Sequence, residues 1–205
     1  MGYWRFVTEN RLFLLAGFLL TFTSSFGQTY FISLFAGEIK AAFTLTDGGW
    51  GGIYTIGTTL SAITMIWAGA LTDRFRVRHL SLVVMVLLAA ACVAMALNTG
   101  AALLIAVIYF LRLMGQGMMS QLGAVAMSRW FVAARGRAIS IASMGFAVGQ
   151  AILPIIFVAL LALYDWRTLW IVAAVCVLAA IPLMQALLKK ERTPQSLAET
   201  TQSAG

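Results

Sequence analysis

Apolar residues fall into six long blocks along this chain, and the polar and charged residues gather in the short gaps between them. The blocks cover approximately residues 12–37, 50–72, 80–97, 101–128, 138–163 and 168–188. A bilayer core about 30 Å thick takes about 20 residues of α-helix, so each block predicts one spanning helix. The blocks are far too long for the roughly ten-residue strands of a membrane barrel, and they lack in/out alternation. The pattern therefore predicts an all-α, polytopic membrane protein: a six-helix bundle over 1–188 and a flexible polar tail over 189–205.

Composition agrees with the pattern. Of 205 residues, 61% are hydrophobic and 10% charged, against roughly 25% charged in an ordinary soluble domain; mean hydropathy is +0.93. Arg5 and Arg11 precede the first block, which is longer than the roughly 7 to 15 residues of a signal-peptide core, so it is expected to remain as a helix. Cys92 and Cys176 lie inside apolar blocks and predict buried thiols rather than a disulfide framework.

The formal net charge of +7 would suggest nucleic acid in a soluble protein, but here the distribution of charge reports topology. Arg5 and Arg11, then Arg74, Arg76 and Arg78, then Arg129, Arg135 and Arg137, then Lys189, Lys190 and Arg192 all occupy gaps on one side. The opposite side carries only Lys40 and Arg167. The positive-inside rule places both termini in the cytoplasm. Trp4, Trp130, Trp50, Trp166 and Trp170 lie near predicted helix ends and are expected to be interfacial anchors.

Blocks three and six are almost purely apolar and predict lipid-facing helices. The other four carry polar stripes that close up at 100° per residue. Thr21, Ser24, Ser25 and Gln28 share a sector of helix 1, and Arg112, Gln116, Ser120 and Gly123 a narrower sector of helix 4. Thr55, Thr58 and Thr59 group on helix 2, and Ser140, Ser143 and Gln150 on helix 5. The hydroxyls by themselves read most simply as back-bonded to their own helices. Arg112 does not: it lies near the bilayer midplane, where an arginine costs a few kcal/mol unless it is paired or wet. Every Asp and Glu lies outside the membrane interior, so its partner must be Gln116, backbone carbonyls, water or an anionic ligand. Gly145 and Gly149 on helix 5, and Gly57 and Ser61 on helix 2, have small-xxx-small spacing that predicts close helix packing, and Pro154 predicts a bend.

Four segments carry a family resemblance. GALTDRFRVRHL (69–80), between helices 2 and 3, resembles the signature loop of the major facilitator superfamily, with Gly69, Leu71, Asp73, Arg74 and Arg78 in place; Arg76 replaces its second glycine and Val77 a basic residue. RLMGQG (112–117) resembles a compressed form of the family's Arg-x-x-x-Gly-x-Gly element. RWFVAARGRA (129–138) and YDWR (164–167) resemble its loop between helices 4 and 5 and its link to helix 6. TDGGWGG (46–52) is similar to a stretch of monocarboxylate transporters, although there it introduces the first helix and here the second.

The resemblance implies the N-terminal six-helix half of a secondary transporter working by alternating access, built as two inverted three-helix repeats over about 1–98 and 99–188. It implies a second six-helix half as partner, a cell (inner) membrane location and a lipid bilayer environment. Arg112 would then present its charge to a small organic anion such as a carboxylate, with Gln116, Gln28, Gln150 and Ser25 around it. Gly69, Asp73, Arg74, Arg78 and Arg129 would form a gate, with Asp73 paired to an arginine. No Asp or Glu occupies a helix interior, so nothing in this half supports proton coupling.

Two other classes fit less well. An intramembrane enzyme needs a base or metal ligands at depth, and the single histidine, His79, lies in a loop. A non-transporting membrane subunit that binds another integral protein is the alternative to transport. No phosphate loop, metal cluster, cofactor motif or nucleic-acid module is recognisable. The length fits a fragment of a longer product, a half completed by a separate polypeptide, or a homodimerising half; the polar linker at the position of the family's central loop favours the first.

Overall fold

The computed structural model describes residues 3–189. The predicted tail beyond Lys189 lies outside the described residues. A short helix, Tyr3–Glu9, leads into six long apolar helices: α1 (Arg11–Ser33), α2 (Asp47–Arg74), α3 (Val77–Leu97), α4 (Ala101–Trp130), α5 (Arg135–Leu161) and α6 (Trp166–Leu187). Each is long and apolar enough to cross a bilayer. The Thr46 hydroxyl starts α2 by accepting from the Gly49 N–H at 3.1 Å, and the Asp165 carboxylate starts α6 by accepting from the Arg167 N–H at 2.9 Å. Block one was expected to reach residue 37, but α1 stops at Ser33 and a separate helix, Ala36–Ala42, follows it. The helix of α5 continues through Pro154 to Leu161.

The helices pack in a repeating scheme. α1 lies along α5, α2 along α4 and α3 along α6, while α1 and α4 cross at the centre. Exchanging the first three helices for the last three leaves this scheme unchanged. Because each set holds an odd number of spans, the second set is inverted in the membrane relative to the first. The glycines follow the same symmetry. A Cβ on Gly145 would overlap the Phe18 carbonyl oxygen of α1, and one on Gly57 would lie 3.0 Å from the Ile105 carbonyl oxygen of α4. Gly57 and Gly145 are separated by the same length of chain as Gly27 and Gly115, which meet at the α1–α4 crossing. The predicted small-residue contacts are thus the α1–α5 and α2–α4 seams.

α3 and α6 are antiparallel, and each start is tied to the other's end. Arg167 Nη1 donates to the carbonyls of Ala96 at 2.8 Å and Asn98 at 2.6 Å, at the close of α3. At the opposite end Arg78 Nε donates to Gln185 Oε1 at 3.2 Å, and Gln185 Nε2 returns a bond to the Arg78 carbonyl at 3.0 Å. The carbonyls of Ala96 and Asn98, at the end of α3 and otherwise without intrahelical donors, are satisfied by Arg167 in this way. Arg167→Ala is expected to cost about 2 kcal/mol, lowering the thermal midpoint by about 4–8 °C. Lys40→Ala, which breaks only the exposed Lys40–Asp47 pair, serves as the control at well under 1 kcal/mol. Equal shifts in the two variants would remove the role given to Arg167.

One expectation is corrected by the packing and another is made more specific. Helices 3 and 6 were read as lipid-facing; 56% and 33% of their apolar windows are buried, chiefly where the two pack on each other, while Leu82, Val83, Val86 and Leu87 of α3 and Val175 and Leu178 of α6 stay exposed. Lipid tails and neighbouring side chains are equally apolar, so hydropathy cannot separate them. Of the tryptophans expected at the interface, Trp130, Trp166 and Trp170 are buried instead. Trp170 packs on Phe31 and Phe35 at centroid distances of 5.4 and 5.1 Å, and Trp130 on Phe13 at 5.4 Å. These rings are core aromatics; Trp4 is the strongly exposed one of the five.

Candidate functional site

Both central helices lose regular α geometry where they cross. α1 tightens into a 3₁₀ turn at Ser24–Gly27, becomes extended at Gln28 (φ −79°, ψ 153°) and resumes helix at Thr29. Facing it, Arg112–Met119 of α4 adopts a π-helix, a form that appears in short pieces and often at functional sites. The two segments touch through glycine. A Cβ on Gly27 would overlap the Leu111 carbonyl oxygen and lie 2.7 Å from Gly115 Cα. Breaking α1 at Gln28 sends the side chains of Gln28 and Thr29 to different partners on α4.

Thr29 meets Arg112. Arg112 is 7% exposed, and its Nη1 donates to Thr29 Oγ1 at 2.7 Å. The guanidinium carbon sits 5.8 Å from the centroid of the Tyr54 ring on α2. Arg112 Nε is buried with no acceptor among the described residues, and the hydroxyls of Tyr54 and Thr58, one turn apart on α2, are buried and unbonded as well. The described carboxylates, Glu9, Glu38, Asp47, Asp73 and Asp165, all lie at or beyond the helix ends. A hydroxyl at 2.7 Å solvates one N–H but leaves the charge unneutralised. Gln116, which the sequence offered as a partner, makes no hydrogen bond to Arg112; Thr29 takes that place.

Gln28 meets Ser120. Its Nε2 donates to Ser24 Oγ at 3.3 Å and to Ser120 Oγ at 3.4 Å. Ser25, fully buried, lies beside Tyr30 against Gly149 of α5, where a Cβ would overlap Ser25 Oγ and stand 3.2 Å from the Tyr30 hydroxyl. Gln150 is exposed, and Gln116 is half-buried within the π segment. Between α1, α4 and α5 a pocket of about 200 Å³ opens, lined by Thr21, Ser120, Ser143 and Phe146 among others. The structure therefore groups Arg112, Gln28 and Ser25 around the crossing and leaves Gln150 exposed on α5, outside the lining of that pocket. Sequence reasoning missed Thr29, Tyr30 and Tyr54. The available signals were adjacency to Gln28 and, for Tyr54, a place one turn before Thr58.

The residues expected to form a gate sit where the turn between α2 and α3 meets the end of α4. Arg129 Nη2 donates to Asp73 Oδ1 at 2.9 Å, bridging the second and fourth helices. Gly69, at the end of α2, faces Gln121 of α4, whose Nε2 would lie 3.4 Å from a Cβ placed there, an ordinary contact. Arg78 is engaged with Gln185 instead of Asp73, and Arg74 is exposed. Asp73 is 76% exposed, so the pair contributes no more than about 1 kcal/mol.

No curated protein and no solved structure matches the chain at a significant level. The sequence profile of the Major Facilitator Superfamily matches residues 17–204, nearly the whole chain. With six apolar helices paired as two inverted sets of three, the chain belongs to the Major Facilitator Superfamily of membrane transporters and has the helices of one half of that fold.

Proposed function

We propose that this chain is the N-terminal half of a secondary active transporter that moves a small organic anion by alternating access. Its repeats run over about 1–98 and 99–188, both termini are cytoplasmic, and the host is the cell (inner) membrane. The observation that carries this reading is Arg112: a guanidinium buried at the helix crossing, with Nε unbonded and no carboxylate within the membrane interior among the described residues. A charge at that depth is destabilising unless water, backbone carbonyls or an anion compensates it, and an anionic ligand is the compensation a transporter would use. Gln28, Ser25, Gln116 and Gln150 supply amide and hydroxyl groups around the path. A second six-helix half, covalent or separate, covers the exposed faces of α2 and α5, where Ile56, Ile63, Ile155 and Val158 await an apolar partner.

The test is binding to the purified chain in lipid nanodiscs. Hexanoate is expected to raise the thermal midpoint in a saturable way, and hexylamine, its cationic counterpart in length, is not. Stabilisation by hexylamine with no response to hexanoate would reverse the assignment. Asp73, Arg129, Gly69, Arg74 and Arg78 make up the gate in this reading. Asp73→Asn is expected to shift the balance of gate states by up to about fivefold, the equivalent of about 1 kcal/mol. The readout is the uptake rate in cells producing the complete transporter. Partial recovery in the exchanged pair Asp73→Arg with Arg129→Asp identifies the contact, and a wild-type rate in Asp73→Asn would remove it.

A further inference from the structure

Three arginines at one end of the bundle have no carboxylate to answer them. Arg11 opens α1, and Arg135 and Arg137 lie in the first turn of α5. All three are exposed, and none forms an ion pair among the described residues. The carboxylates described at that end are Glu9 and Asp73, and both are taken. Glu9 Oε1 accepts from Arg5 Nε at 2.7 Å, and Asp73 Oδ1 from Arg129 Nη2 at 2.9 Å. Counter-charge for Arg11, Arg135 and Arg137 therefore comes from outside the described chain.

The packing of α1 on α5 brings these arginines to one level. The two helices run parallel, since Gly17 meets Ala142, Phe18 meets Gly145 and Ser25 meets Gly149 in the same order along both. Arg11 is six residues before Gly17 and Arg137 five before Ala142, so each stands about 7–9 Å along its axis from that contact. This is the first turn of two spanning helices, the depth at which a chain leaves the apolar layer and meets lipid headgroups. Leu12 and Leu15, beside Arg11 and one turn further into α1, are both exposed. The same surface thus offers cations at the headgroup level and apolar side chains directly beneath them.

The short helix Tyr3–Glu9 completes it. Phe6 is buried, packed edge-on against Phe131 of the α4–α5 loop at 5.4 Å, and the Arg137 guanidinium carbon lies 5.4 Å from its ring centroid. Pinned by Phe6, this helix holds Tyr3 and Trp4 in the open, 51% and 78% exposed. An indole with nothing of the protein over it, next to arginines at the start of spanning helices, suits the apolar-to-polar boundary of a bilayer.

We propose that this surface docks an anionic phospholipid, its phosphate held by Arg11, Arg135 and Arg137, its acyl chains against Leu12 and Leu15, and the Trp4 indole anchored beside it in the headgroup layer. Charge and apolar surface select this occupant together. A free inorganic anion has nothing to place on the leucines, and a zwitterionic lipid carries an ammonium that offsets its phosphate. The surface is separate from the Arg112 crossing and does not depend on the anion proposed there.

The test is native mass spectrometry of the full chain released from detergent micelles that hold equal amounts of phosphatidylglycerol and phosphatidylcholine with the same acyl chains. Phosphatidylglycerol is expected to be retained at least about fivefold over phosphatidylcholine, the preference that one engaged cation supplies. Arg135→Gln with Arg137→Gln is expected to bring the ratio towards one. Arg74→Gln with Lys189→Gln removes the same charge from the ends of α2 and α6 and is expected to leave the ratio standing. Trp4→Ala is expected to lower retention of both lipids and keep their ratio, because an indole anchors without reading charge. Equal retention of the two lipids by the unaltered chain overturns the proposal, and so does an unchanged ratio in the Arg135, Arg137 pair. A fall just as large in the Arg74, Lys189 pair would show an effect of net charge and no site. Displacement of phosphatidylglycerol by millimolar inorganic phosphate would assign the arginines to a free anion and overturn the lipid. The first comparison uses the unaltered chain, so it decides the matter even if the variants do not fold.

Discussion

Arg112→Met is expected to lower the affinity for organic monoanions by at least about a hundredfold while raising the thermal midpoint of the unliganded protein. The two effects have opposite signs because they report different parts of one balance. Truncating one partner of a desolvated charge pair typically costs about 2–5 kcal/mol of binding. In the empty protein, however, the same guanidinium has one hydroxyl partner, an unbonded Nε and no carboxylate nearby among the described residues, so removing it relieves the cost of a charge in the membrane interior. A residue kept only for packing would show the reverse: a lower midpoint and no change in ligand affinity. Arg112→Lys keeps the charge and loses the planar fork, and is expected to fall between the two. The measurement is a ligand titration followed by thermal unfolding in nanodiscs. Unchanged anion affinity in Arg112→Met would end the assignment of this residue.

The largest loss of stability is expected at the crossing of α1 and α4. Gly27→Ala places a methyl group on the Leu111 carbonyl oxygen and 2.7 Å from Gly115 Cα. Both obstacles are backbone, so no side chain can rotate away and the helices themselves must separate. Overpacking of this kind costs about 3 kcal/mol or more, and it acts on the contact that holds Arg112 against Thr29. Gly115→Ala meets Gly27 from the other side, at 2.5 Å from its Cα, and is expected to behave alike. Gly51→Ala, where a Cβ has nothing within 4 Å, is the matched control and is expected to be neutral or stabilising by about 0.5–1 kcal/mol. Thermal midpoints and the monodisperse fraction after extraction separate these outcomes. A Gly27→Ala protein as stable as Gly51→Ala would show that the crossing is looser than the structure has it.

The apolar blocks and their interrupting cations were enough to place six spans within a few residues, because in a bilayer each backbone polar group must be satisfied within its own helix. The same logic singled out Arg112, since a charge inside an apolar block stands out without knowledge of any neighbour. Its partner was another matter. Gln116, one turn away in an ideal α-helix, was the local choice, yet the π segment changes that register and the break at Gln28 brings Thr29 across from another helix. The three buried tryptophans were misread for a related reason. An apolar helix surface is equally content with lipid or protein, and an indole near a helix end fits either a headgroup or an aromatic cluster.

What the sequence by itself determined is therefore the membrane class, the number of spans, the family-type loop around Asp73 and the isolated charge of Arg112, all of which depend on composition along one helix at a time. What only the tertiary structure decided is which helix faces which: the α1–α5, α2–α4 and α3–α6 pairing, the glycine contact of Gly27 with Gly115, the choice of Arg129 over Arg74 or Arg78 for Asp73, and the pairing of Arg112 with Thr29. The reason is physical. Burial in lipid constrains each segment independently, whereas contacts between segments depend on close approach of backbones and on hydrogen-bond direction, and both are properties of pairs of helices that no single stretch of chain encodes.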